Sequence, residues 1–172
     1  MSLPGATSSS GHVTQLPRNP DVFLSFRGKD TRKGFAYHLY KALVRAQIKT
    51  FFDDRELKTG EDISAALLRA IEASKVSVVI CSENYGSSKW CLDELVKILE
   101  CHDSKEQIVF PVFYKVEPAH VRHQIKRFGQ AFDGLKQSHG DDRIAGWKAA
   151  LTKLANLSGF TYGDESVYML IS

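Results

Sequence analysis

Apolar residues in this chain arrive in two rhythms. Short, nearly unbroken runs at residues 21–26, 48–52, 76–81 and 108–114 alternate with stretches in which apolar positions recur every three or four residues. The unbroken β-branched and aromatic runs fit strands buried on both faces, and the second rhythm fits helices with one apolar face. The first helical stripe is Phe35, Ala36, Leu39, Ala42, Leu43 and Ala46, and the second is Ile63, Leu67, Ala70, Ile71 and Ser74. A third carries Leu92, Leu95, Val96 and Leu99, and the last Trp147, Ala150, Leu151 and Leu154. Asp30 or Thr31 is placed to cap the first of these helices. Between the third and the last, Val121, Ile125, Phe128 and Phe132 predict short helices and leave room only for a brief fifth strand. Pro111, inside the fourth run, marks an irregularity or an edge, because proline donates no ladder hydrogen bond.

Strands alternating with helices predict an α/β fold, a doubly wound five-stranded parallel sheet of order 2-1-3-4-5 with helices on both faces. In such sheets ligands sit beyond the carboxyl ends of the strands, where the strand order reverses between strands 1 and 3. Three segments are thereby nominated: residues 25–32, 53–63 and 82–94. Residues 1–19, rich in Ser, Gly and Pro, read as a flexible leader and 20–160 as the domain. Residues 161–172 read as a tail or the start of a linker, with an apolar stretch at 167–171 that leads onward or folds back.

Composition narrows the class. The chain has 172 residues, 43% of them hydrophobic and 25% charged, which excludes wholesale disorder. Its net charge of +3 is too even to indicate nucleic acid or acidic lipid as the main partner. No run is long enough for a membrane span, and no basic segment leads into an apolar one at the start. Three cysteines, an odd number in a core-rich chain, favour a reducing compartment. A cytoplasmic location is expected, with the nucleus as a second.

The nominated loops lack several chemistries. There is no G-x-x-x-x-G-K-S/T for a P-loop, and no G-x-G-x-x-G after a strand. A phospho-receiver would need acidic residues at the ends of strands 1 and 3, where this chain has Ser25, Phe26 and Arg27, and Cys81 and Ser82. His120 and His123 lack a third ligand in register, so no metal is expected. Cys101, His102 and Asp103 have the letters of a thiol protease, but adjacent helical residues diverge and form no relay.

The run DVFLSFRGKDTR at 21–32 resembles the opening signature of plant Toll/interleukin-1 receptor (TIR) domains. DDRELKTGEDI at 53–63 resembles that family's loop after strand 2, and SENYGSSKWCLDEL at 82–95 is the strongest match. PVFYKVEP at 111–118 with Val121 and Arg122, and WKAAL at 147–151 up to Ser158 and Gly159, complete five blocks in the family's order. The resemblance implies a flavodoxin-like fold. It also implies an NAD+ nucleosidase that cleaves the nicotinamide–ribose bond to give nicotinamide and ADP-ribose or cyclic variants, activated by self-association in plant immune defence and cell death. NAD+, or NADP+, is then substrate, and no cofactor is expected.

Glu94 matches the family's catalytic glutamate. Periodicity alone reads it as a solvated carboxylate pairing with Lys97, since it stands off the stripe of Leu92, Leu95, Val96 and Leu99. Trp90, four residues earlier, projects from the same face. The resemblance assigns substrate binding to Arg27, Gly28, Lys29, Asp30, Thr31 and Arg32, to Lys58, Gly60, Glu61 and Ile63 of the strand-2 loop, and to Trp90. Self-association is expected through Tyr37, His38 and Trp147, and with other TIR proteins as further partners. The second reading of the same resemblance is a non-catalytic adaptor that acts by TIR–TIR binding alone.

Overall fold

A computed structural model describes residues 17, 19–31, 33–52 and 63–163. The strands are β1 (Val22–Phe26), β2 (Thr50–Phe51), β3 (Val76–Cys81), β4 (Ile108–Tyr114) and β5 (Phe160–Tyr162). The helices are α1 (Gly28–Thr31), α2 (Phe35–Arg45), α3 (Ala65–Ala73), α4 (Lys89–Lys105), α5 (Pro118–Arg122), α6 (Arg127–Leu135) and α7 (Asp141–Asn156), with a single 3-10 turn at Tyr85–Ser87. The sheet has the order β2-β1-β3-β4-β5 with every pairing parallel, as the alternation predicts. β5 occupies the last residue of the expected domain and two more, so the sheet runs past residue 160.

Alternate residues of each strand serve two cores. Phe23, Val79, Cys81, Val109 and Phe113 face the larger one, beneath Leu67 and Ile71 of α3, Leu92, Leu95 and Ile98 of α4, Phe128 and Phe132 of α6, and Trp147 and Leu151 of α7. Val22, Leu24 and Ile80 face the smaller one, beneath Ala36, Leu39, Tyr40 and Leu43 of α2. Among the described residues α2 is the main cover of that second face, and it lies over β1 and β2. Toward β4 and β5 the face opens: Ile108 is 56% exposed and Phe160 46%.

Local signals set the helix ends. Ser64 accepts from the Leu67 amide at 3.2 Å and caps α3, and Ser88 accepts from the Cys91 amide at 3.2 Å and caps α4. α4 stops at Glu106, whose φ of 57° turns the chain out of the helix. α2 departs from expectation. Its N-cap is Gly34 with no side-chain bond, because Asp30 and Thr31 already belong to α1. Pro111 sits where β4 pairs with β3 alone, since β5 begins opposite Val112. Its carbonyl faces Gly159, where an added Cβ would lie only 2.2 Å away. Pro111 is therefore at a local edge inside a two-sided strand, which costs no donor.

Candidate active site

The carboxyl ends of β1 and β3 and the first turns of α4 meet at the reversal of strand order. What joins them is a buried polar network. Tyr85, fully buried, donates from Oη to the Cys91 carbonyl at 3.1 Å and lies 2.7 Å from the Ser25 hydroxyl. With its own proton directed at the carbonyl, Tyr85 is left to accept from Ser25. β1, the 3-10 turn and α4 are thus locked by one phenol. Burial pushes that phenol well above its ordinary range, and the thiol of Cys91 and the charge of Glu94 add to it.

Asp30 ties the turn after β1 to the loop after β3. Its Oδ2 accepts from the Ser82 hydroxyl at 2.6 Å and from the Asn84 amide at 3.0 Å, and its Oδ1 accepts from Asn84 Nδ2 at 3.1 Å. Thr31 is 1% exposed and donates to the Arg27 carbonyl at 3.2 Å. The Thr31 side chain is inside the turn, and three bonds within the protein engage the Asp30 carboxylate. Arg27, half-buried beside them, keeps its Nε buried without a hydrogen-bond partner. Gly28 opens α1 half-buried, and Lys29 is exposed.

Glu94 is 5% exposed. Lys97, the partner that periodicity offered, pairs instead with Glu72 at 2.7 Å. The reason is visible along α4, where Cys91, Ile98 and Cys101 are buried together with Glu94. These positions fall at i, i+3, i+7 and i+10, a second apolar stripe beside the first. α4 is flanked by α3 and α7 as well as lying on the sheet, so it buries two stripes, and Glu94 is the one charged member of the second. A carboxylate interrupting an apolar stripe is a sequence signal in its own right. Its field reaches Cys91, whose thiol burial pushes up to about 12 with Glu94 as the next cause. Trp90 is half-buried and packs against the larger core at the start of the same helix.

The neighbouring carboxylate has another duty. Asp93 accepts from Trp147 Nε1 at 3.0 Å and from Arg143 at 2.6 Å, which pins α7 to α4. Trp147 is 1% exposed and cannot itself present a contact surface. The indole is a core residue. Tyr37, by contrast, is 40% exposed, and His38 is exposed beside it on α2. Ile63 is half-buried against the larger core. Arg32, Lys58, Gly60 and Glu61 lie outside the described residues, as does most of the strand-2 loop.

The remaining chemistry-bearing letters scatter. Cys101 is buried, His102 Nδ1 lies 2.6 Å from the Gln107 carbonyl, and Asp103 pairs with Lys153. His120 lies 3.4 Å from Glu117. A cleft of about 450 Å³ opens at the ends of β4 and β5, lined in part by Lys115, His120, Lys126, Arg127 and Tyr162. Neither Glu94 nor Arg27 lines it. No helix among the described residues is long and apolar enough to cross a membrane.

The fold and its switch edge define a flavodoxin-like α/β domain, and comparison with known proteins supplies its family. Residues 20–169 match the model of the TIR domain, and the chain belongs to that family. It is 53% identical over 160 residues to disease resistance protein RPV1 of Vitis rotundifolia, covering 92% of this chain and 11% of that protein. It is 50% identical over 141 residues to TMV resistance protein N of Nicotiana glutinosa, covering 81% of this chain and 12% of that protein. The chain thus spans about a ninth of the length of these relatives. The TIR domains in the structure of the activated Roq1 resistosome, which directly recognises the pathogen effector XopQ, superpose with a TM-score of 0.78 at 49% identity, over 85% of this chain and 89% of theirs. The TIR domain of TRR-2 from Hydra magnipapillata shares the fold, with a TM-score of 0.52 at 18% identity, over 88% of this chain and 90% of that one.

Proposed function

We propose that this TIR domain is an NAD+ nucleosidase that signals in plant immune defence and cell death, and that it works when copies associate. The observation that carries the reading is the burial of Glu94 at the edge where β1 and β3 part, beside a β1 turn whose Arg27 keeps a buried donor unpartnered. Burial beside Tyr85 and Cys91 places that carboxylate where its charge is weakly screened. An unsatisfied guanidinium nitrogen fits an anionic ligand group such as a pyrophosphate oxygen.

The chemistry needs little else. Nicotinamide bound to ribose is already cationic and departs as a neutral base, so no proton donor is required, unlike the paired carboxylates of most glycosidases. As the bond breaks, positive charge develops on the ribose. Glu94 supplies fixed negative charge where that charge appears, in surroundings that screen it weakly. Trp90 offers an apolar wall at the same helix start. Arg27 and Lys29 steer the pyrophosphate, and Gly28 lets the backbone approach it. Water, or a second nucleophile within the same molecule, then captures the sugar to give linear or cyclic product.

Association is supported by the exposed pair Tyr37 and His38 on α2 and by the assembled state of the Roq1 TIR domains. The deciding experiment is nicotinamide release by concentrated protein carrying Glu94→Ala or Glu94→Gln. Both variants should be inactive while melting near wild type. Wild-type rates in both would leave the chain as a docking module that acts through TIR–TIR contact alone.

A further inference from the structure

We infer that Asp30 is a positioning residue of this site, not a contact to its substrate, and that it sets the gap between the nucleotide-gripping turn and Glu94. The inference rests on the reading just given. Asp30 uses both carboxylate oxygens on the loop after β3, taking the Ser82 hydroxyl at 2.6 Å, the Asn84 amide at 3.0 Å and Asn84 Nδ2 at 3.1 Å. Three of its roughly four acceptor positions are therefore committed inside the protein. The bonds cross the switch, since Asp30 belongs to α1 and Ser82 follows β3 directly. Ser82 is itself 1% exposed, so the clamp is anchored in the core.

From there the linkage continues without a gap. Asn84 precedes Tyr85, Tyr85 holds the Cys91 carbonyl, and Cys91 lies one helical turn before Glu94. Arg27 and Gly28 stand at the other end, three and two residues before Asp30. A carboxylate facing a pyrophosphate would repel it, whereas one turned onto neutral donors of the loop after the adjacent strand repels it less. The clamp thus fixes two groups that must meet the same ligand, Arg27 at its phosphates and Glu94 at its ribose. Relaxing it leaves each group intact but loosens their spacing. A misplacement of about 1 Å between reacting groups costs on the order of a hundredfold in rate.

The test compares wild type with Asp30→Ala, Asp30→Asn, Ser82→Ala and Glu94→Gln in the concentrated chain. It measures kcat and KM for nicotinamide release from NAD+ and hydrogen exchange at the Asn84 amide. Asp30→Ala should lower kcat about tenfold to a hundredfold with KM within about threefold, and should expose the Asn84 amide to exchange. Asp30→Asn should stay within about threefold of wild type in kcat, because its side-chain oxygen still accepts from Ser82 and the Asn84 amide while the Asn84 side chain turns its own oxygen toward the new NH2. Ser82→Ala, which removes one bond and leaves the other two Asp30 bonds in place, should fall between them and keeps the test decisive if Asp30→Ala folds poorly. Asp30→Asn as slow as Asp30→Ala would show that the charge itself acts and would overturn the inference. So would a raised KM at unchanged kcat, or full turnover in Asp30→Ala or Ser82→Ala. Equal turnover, or none, in wild type and Glu94→Gln would instead defeat the nucleosidase reading, and the exchange pattern would then show separately whether Asp30 still governs the β3 loop.

Discussion

The two ends of the sheet's carboxyl edge are built on opposite principles. At the β1/β3 switch, polar groups are buried and mutually satisfied: Ser25, Tyr85 and Ser82 are each at most 1% exposed, and each has a hydrogen bond of 3.1 Å or less to a distant part of the chain. At the β4/β5 rim, charges meet in the open. Arg127 and Glu83 lie 2.7 Å apart with side chains 59% and 52% exposed. The distances are similar, and the energetic consequences differ. A buried donor that loses its partner cannot turn to water, whereas an exposed ion pair can. Only the first arrangement holds a carboxylate such as Glu94 in one place.

Several perturbations would break or sharpen this contrast. The largest effect is on turnover, where Glu94→Gln should cost at least about a hundredfold in nicotinamide release with little change in stability. Next comes alkaline titration. Burial raises the thiols of Cys81 and Cys91, the latter to about 12, so the unfolded chain gives up these protons at lower pH than the folded one. The stabilisation is fully present below about pH 8.5 and is lost as pH climbs toward 12, at about 1.4 kcal/mol per pH unit for each thiol. Urea melts at pH 7.5 and 10 measure it, and a flat profile would contradict the burial. Tyr85→Phe keeps the ring but removes the shared hydroxyl, and should cost about 1–3 kcal/mol in urea unfolding. Gly86→Ala places a Cβ 2.7 Å from Phe128 Cδ1, with an expected loss of about 1–3 kcal/mol unless the ring swings aside. At the rim, Arg127→Ala should change stability by less than about 0.5 kcal/mol. An equal cost for Tyr85→Phe and Arg127→Ala would erase the distinction.

The strands were legible because parallel strands buried on both faces need unbroken apolar runs, and 76–81 and 108–114 match their elements residue for residue. β5, with three residues, carries too short a run to stand out. Helix existence was legible from the stripes, but helix environment was not. Glu94 looked solvated until α3 and α7 were seen to flank α4, and the stripe of Cys91, Ile98 and Cys101 around it was the overlooked cue. The apolar stripe of the last helix placed Trp147 in the core but did not show the bond its indole makes. Its partner Asp93 is 54 positions away, and no local pattern announces such a bond. The duties of Tyr85 and Asp30 were hidden in the same way, by partners 60 and 52 to 54 residues distant.

Asp93 and Glu94 stand next to each other on one helix, about 100° apart around its axis. Because Trp147 and Arg143 grip the first, they resist any roll of the helix, and the second inherits its bearing from its neighbour's contacts. Any force that levers α7 away would act on α4 like a key in a lock cylinder and would swing Glu94 out of line. What docks against the outer side of α7 could therefore set the aim of a carboxylate on the far side of the bolt.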